Sequence, residues 1–234
     1  MSRQTVMIVA AAAIVSAALI LPTSGVVAES WTTVTVDHMP VVNGSGRVVQ
    51  QQRSVGNFDA VETLGSENVE VRFGATPSVV IAADDNILPL ITTKVVDGQL
   101  KIGTRGSFRM HGPIRAWITV PNLKAFTTSG SGDVLIHDVN NDALALTMNG
   151  SGSMTANGQT GQLHLKLNGS GRAQLASLAA TDVSAGLFGS GNATVNAHGR
   201  LDAEVFGSGT LHYVGRPGEL RASHFGSGRI VAAN

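Results

Sequence analysis

The sequence predicts an all-β protein, a parallel β-helix-like solenoid with coils of about 19 residues. Three observations predict it. The tripeptide Gly-Ser-Gly begins at Gly130, Gly150, Gly169, Gly189, Gly207 and Gly226, in steps of 20, 19, 20, 18 and 19 residues; a near-constant period of this length marks stacked repeats. Before the tripeptides, apolar residues alternate with polar ones: Leu144, Leu146 and Met148; Leu163, Leu165 and Leu167; Val183, Ala185 and Leu187; Leu201, Ala203 and Val205; and Leu220, Ala222 and His224. After them the alternation resumes, with Val134 and Ile136, Met154 and Ala156, Ala173 and Leu175, Ala193 and Val195, and Leu211 and Tyr213. Period-two alternation on both sides of a glycine corner is strand patterning, with the apolar set turned inward.

Residues 1–28 read as a targeting segment. Arg3 supplies a basic start, Val6 to Leu21 an apolar run, Pro22 its end, and Val26-Val27-Ala28 a small residue before Glu29. The run is 16 residues long, short of the roughly 20 that span a bilayer. Cleavage is therefore expected, with a retained inner-membrane anchor through residues 6–21 as the alternative. Either way the protein is extracytoplasmic, in the periplasm or at the cell surface. The chain has no cysteine, which excludes disulfides, thiolate chemistry and lipid attachment through an N-terminal cysteine. Without residues 1–28 it carries 15 basic and 16 acidic residues and no basic run. That balance argues against nucleic acid or an anionic membrane surface as partner.

Residues 29–52 read as a tether with some strand character, since Val34 and Val36 alternate. Its Gly44-Ser45-Gly46, followed by Arg47-Val48-Val49, is either an outlying coil or an edge strand. Residues 53–121 read as an earlier, diverged part of the same solenoid. Setting Gly65-Ser66-Glu67 on Gly130-Ser131-Gly132 places Val61 over Phe126, Thr63 over Thr128, Val69 over Val134 and Val71 over Ile136. Within this part Ile87, Leu88 and Ile91 fit one side of a helical turn limited by Pro89. Val95 and Val96, Asp97-Gly98, then Leu100 and Ile102 form a hairpin signal. Thr104 to Gly112 reads as an exposed loop, and Ile114, Ala116, Ile118 and Val120 as a strand with Trp117 on its opposite face. Residues 122–234 are the regular repeats.

Candidate chemistry is sparse. The corner serines Ser131, Ser151, Ser170, Ser190, Ser208 and Ser227 read as a structural ladder, stacking about 4.8 Å apart and able to hydrogen-bond along the axis. A run of corner N–H groups as an anion site is the alternative. His137, His164, His198, His212 and His224 fall at different places in their coils and form no metal-ligand spacing. Asp142, Asp182 and Glu219 recur before successive corners, with Gln162 and Arg200 between them. A solvated turn is the expectation, and a carbohydrate-active groove in which two or three carboxylates among Asp142, Asp182 and Asp202 converge the alternative. Asp133 would suit a calcium-binding roll, but its equivalents are Ser153, Arg172, Asn192, Thr210 and Arg229. No catalytic residue, metal or cofactor is expected.

The residue immediately before each corner is Ser129, Asn149 and Asn168, then Phe188, Phe206 and Phe225. Strand parity turns these side chains outward, making an apolar stripe beside a polar one, suited to binding or self-association. A corner that reverses parity would instead give an internal aromatic ladder.

Several ordered motifs are similar to those of the DUF2807 family, also called the auto-transporter adhesin head GIN domain. They are Phe58-Asp59-Ala60-Val61, Asn68-Val69-Glu70-Val71, Asp85-Asn86-Ile87-Leu88, Val96-Asp97-Gly98-Gln99-Leu100-Lys101-Ile102, and Pro121-Asn122-Leu123 leading to Ser129-Gly130-Ser131-Gly132-Asp133-Val134. The resemblance spans about Val48 to Asn234. It implies a bacterial, exported, right-handed β-helix-like fold related to toast-rack domains, and transfers no catalytic residue. The expectation is a non-enzymatic, adhesin-like solenoid presenting a binding surface to an envelope protein, a surface glycan or itself. The alternatives are an envelope scaffold or stress-sensing accessory, and, least favoured, a carbohydrate-active enzyme.

Overall fold

The computed structural model describes residues 41–233, so the targeting segment and the first half of the tether, with Val34 and Val36, lie outside the described residues. In chain order the strands are β1 (Val42–Asn43), β2 (Val48–Arg53), β3 (Ala60–Leu64), β4 (Asn68–Phe73) and β5 (Ser78–Asp84). A 3-10 turn at Leu88–Leu90 precedes β6 (Ile91–Val96), β7 (Gln99–Thr104), β8 (Phe108–Arg109), β9 (Arg115–Val120) and β10 (Ala125–Gly130). The repeats follow as β11 (Val134–Gly150), β12 (Ser153–Gly169), β13 (Arg172–Gly189), β14 (Asn192–Gly207), β15 (Thr210–Val214), β16 (Glu219–Gly226) and β17 (Arg229–Ala232).

Each long strand is one coil that bends. In β11 the backbone turns at Asp138, whose φ is 57°, and its register against β12 shifts between Ile136 and Val139. The coil therefore offers three faces: residues before the tripeptide, residues after it, and a short third segment such as Val139–Asn141. All successive pairings from β10 to β17 are parallel, which makes the stack a β-solenoid. The register read from the sequence holds: Phe126 pairs with Val61, Thr128 with Thr63, Val134 with Val69 and Ile136 with Val71. The inward residues from Leu144 to Val205 are buried, as are those after each corner through Leu211. These columns make one continuous core, and burying each large side chain contributes about 1.5–3 kcal/mol.

The Gly-Ser-Gly corner works through its backbone. The Gly130 carbonyl accepts from the Ser151 N–H at 3.1 Å, and the Gly150 carbonyl from Ser170 at 3.1 Å and Gly171 at 3.0 Å. Corner N–H groups thus bind the preceding coil rather than an anion. A Cβ on Gly150 would lie 1.9 Å from the Gly130 oxygen, and φ there is 145°, so only glycine lets adjacent corners approach this closely. The serine ladder contributes less than its spacing suggests. All six repeat serines are exposed, and among the described residues the side-chain bond between corner serines is the 2.8 Å pair of Ser131 with Ser66. Outward-pointing hydroxyls at solvent-exposed corners hydrogen-bond water as readily as each other; the backbone holds the stack.

The N-terminal end is closed by antiparallel strands. β7 pairs with β3 and turns through Asp97 and Gly98, at φ 51° and 75°, into antiparallel β6. On the next face β9 pairs with β4, and β5 and β2 follow antiparallel. The 3-10 turn runs from β5 on one face to β6 on the other, with Ile87, Leu88 and Ile91 buried as a plug. Gly44-Ser45-Gly46 is accordingly an approach to an edge strand and not a coil. Its Ser45 hydroxyl donates to Asp85 Oδ1 at 2.5 Å and its Ser45 N–H to Asn86 Oδ1 at 2.9 Å. The Ser45 bond, with that of Arg47, holds the Asp85 carboxyl below its ordinary range. The loop Thr104 to Gly112 is not wholly free, since Phe108–Arg109 pairs with β1.

Alternation misreads the last coil. Leu220, Ala222 and His224 fit the inward columns, over Leu201, Ala203 and Val205, yet every residue of β16 is exposed. Inward direction buries a side chain only when another coil covers it, and among the described residues none does.

Candidate functional site

The outward column before the corners is continuous. Leu64, Ser129, Asn149, Asn168, Phe188, Phe206 and Phe225 are register partners in turn. Its first half is a hydrogen-bonded ladder: Asn168 Nδ2 donates to Asn149 Oδ1 at 2.6 Å, and Asn149 Nδ2 to Ser129 Oγ at 3.3 Å. Its second half is a ring stack. Phe188 and Phe206 lie 5.2 Å apart with planes at 4°, and Phe206 and Phe225 4.9 Å apart at 10°. The rings are 38%, 37% and 61% exposed, so parity is not reversed and the internal-ladder alternative fails. Strand spacing sets this geometry, because neighbouring strands about 4.8 Å apart bring identical rings to stacking distance. Lys166 Nζ covers the Phe188 end at 5.7 Å from the ring centroid. Gly186 leaves room for that ring, since a Cβ there would lie 3.0 Å from Phe188 Cε2. Sequence reasoning missed Leu64, although aligning Gly65 with the repeat corners already put it in the column.

The candidate carboxylates do not converge. Asp142 falls one place short of the column, and it is Ala143 that shares it with Gln162, Asp182, Arg200 and Glu219. This corrects the column read from the sequence, because Asp142 stands eight residues before its corner glycine where the others stand seven. Asp182 Oδ1 accepts the Arg200 N–H at 3.0 Å, and Glu219 holds Arg200 at 3.2 Å and Arg221 at 2.8 Å. Such exposed pairs contribute about 0–1 kcal/mol each. Asp202 lies on the neighbouring column, paired with Ser184. Asp133 accepts from Ser153 Oγ at 2.6 Å, and among the described residues no three His, Cys, Asp or Glu side chains are grouped to hold a metal ion. The histidines are dispersed, His137 standing 3.5 Å from Glu70.

Two further features were not found by sequence. A shallow hollow of about 290 Å³ on the face of β4, β9 and β11 is lined by Trp117, Leu135, Glu70, Arg115, Asn68 and Asp133. The outward parity of Trp117 was its only signal. The second is Glu67, which stands where the repeats have the corner's second glycine. It is 2% exposed, and neither carboxyl oxygen has a hydrogen-bond partner among the described residues. Burial pushes its pKa up. A raised folded value means the stabilising, neutral form is complete below the unfolded carboxyl range and is lost as pH rises through the folded value. Glu67→Gln is therefore expected to stabilise the fold at pH 7, because the amide carries no desolvated charge. The gain should vanish as pH falls below the unfolded carboxyl range, which urea unfolding across pH will measure.

The family model for DUF2807, described as "Putative auto-transporter adhesin, head GIN domain", matches residues 57–217. The chain belongs to this family. The DUF2807 fold recurs in solved structures. A "putative adhesin" of Bacteroides fragilis aligns with TM-score 0.61 at 22% identity, covering 82% of this chain and 100% of that one. A "putative lipid binding protein" of Parabacteroides distasonis aligns with TM-score 0.57 at 22% identity, covering 83% and 100%. A "putative adhesin" of Parabacteroides merdae gives 0.55 at 18%, covering 82% and 99%. At these identities the DUF2807 likeness is one of fold. No curated protein matched. Among the described residues no helix is long and apolar enough to cross a membrane.

Proposed function

We propose that this DUF2807 chain is an exported, non-enzymatic, adhesin-like solenoid that holds a protein partner on the column from Leu64 to Phe225. The observation that carries the reading is the ring stack. Exposed, mutually aligned Phe188, Phe206 and Phe225 form a fixed apolar strip whose conformational freedom is spent before any partner arrives. The amide ladder alongside adds oriented donors and acceptors. Stacked rings cover each other's faces and offer edges outward, a better match for protein side chains than for sugar rings, which pack on aromatic faces. The engagement of Asp182 and Glu219 with Arg200 supports binding over carboxylate catalysis.

Phe206→Ser tests this. Loss of two ring pairs should lower stability by about 1–3 kcal/mol, because Phe206 stands outside the core. Retention of the labelled protein by isolated envelopes of its own host should fall at least about tenfold, equivalent to about 1.4 kcal/mol. Protease treatment of the envelopes should abolish wild-type binding and periodate treatment should not. The opposite pattern would identify a surface glycan and overturn the protein assignment.

A further inference from the structure

The two ends of the solenoid are finished differently. At the N-terminal end the chain reverses into antiparallel β6 and β2, and Ile87, Leu88 and Ile91 close the core. At the other end β16 pairs only with β14 and β17 only with β15 among the described residues. Their outer backbone edges are bare. Leu220, in the inward column, is 45% exposed, and Phe225 presents the one stacked ring with a free face, its other face covered by Phe206. A bare parallel edge with core residues uncovered is a template for one more strand.

We infer that this end pairs with a second copy of the chain, β16 against β16 in antiparallel register about Ser223, to give a two-fold dimer. The residues of β16 select that occupant. About Ser223, Arg221 of each copy faces Phe225 of the other, setting a guanidinium against each free ring, an attractive cation–π arrangement. On the inward side Ala222 faces His224 in both directions. Moving the axis to Ala222 would instead set Glu219 against each Phe225 ring, where the carboxylate meets the negative face. A two-fold pairing uses the β16 edge of both copies at once, so stacking closes at two copies and does not continue as a filament. The dimer shares Phe225 with the outward column and leaves Leu64 to Phe206 uncovered; it is read on the purified protein alone, so its failure and that of the proposed function are distinguishable.

Cysteine chemistry gives a clean test, since the chain has none. In the inferred register residue 223 lies opposite itself, with Cα atoms about 4.5–5.5 Å apart, inside the span a disulfide bridges. The full chain carrying Ser223→Cys should form a covalent dimer under mild oxidation, whereas Lys94→Cys, on exposed β6, should not. Sedimentation velocity should show monomer and dimer exchanging with concentration. Leu220→Glu, at a position 45% exposed in the single copy, should weaken the dimer at least about tenfold while the monomer still unfolds cooperatively in urea with a midpoint close to wild type. Replacing the inward imidazole by His224→Leu should strengthen it. A monomer at every concentration, a dimer indifferent to Leu220→Glu, equal cross-linking of both cysteine variants, or growth into longer polymers would each overturn the inference.

Discussion

Gly150→Ala is expected to destabilise the fold by about 3–5 kcal/mol, combining a strained backbone worth about 1–3 kcal/mol with lost hydrogen bonds of about 1 kcal/mol each. The added Cβ would sit 1.9 Å from the Gly130 carbonyl oxygen. Relieving the overlap separates two corners and breaks the bond from Ser151 N–H to that oxygen, and it disturbs the Gly150 carbonyl that receives Ser170 and Gly171. The neighbouring Ser151→Ala is the control. Its hydroxyl is exposed, so its change should stay within about 0.5 kcal/mol. Urea unfolding of both variants measures the contrast; equal effects would contradict a backbone role for the corner.

Leu201→Ala is the second large effect, at about 2–5 kcal/mol. Leu201 is fully buried, between Val183 and Leu220 in the same inward column, and neighbouring coils hold the cavity open. Leu220→Ala removes the same atoms from the next coil, where the side chain is 45% exposed. In dilute protein it should cost under about 1 kcal/mol. The pair isolates what a covering coil contributes, because column, chemistry and flanking strand are shared. Thermal unfolding at low concentration compares them directly.

These two cases also show what was legible in the sequence. The Gly-Ser-Gly spacing anchors register, so the pairing of Val61 with Phe126 and of Val71 with Ile136 could be read across a diverged first coil before any coordinates. The hairpin at Asp97-Gly98 was legible because that dipeptide suits two successive positive φ angles. The reversal of β5 and β2 was not. Val48-Val49-Gln50-Gln51-Gln52-Arg53 carries no period-two signal, and direction depends on which edge is available. Burial of Leu220 was misread because period two reports the face of a strand and not whether another coil covers it. Asp142 was misplaced by one residue because its distance to the corner glycine is eight where the column's is seven. The outward direction of Phe188, Phe206 and Phe225 followed from parity, but their mutual stacking required the register of three coils at once.

If corners are structural and recognition lies on the column beside them, substitutions at the two places must separate in a binding assay. The most direct test is quantitative binding to host envelopes of wild type, Phe206→Ser, and a chain with Ser151, Ser170 and Ser190 all changed to Ala, each checked for cooperative unfolding. The account predicts that the serine variant binds like wild type and that Phe206→Ser loses at least about tenfold while still folding. Undiminished binding by Phe206→Ser, with loss in the serine variant, would contradict it and return recognition to the corners.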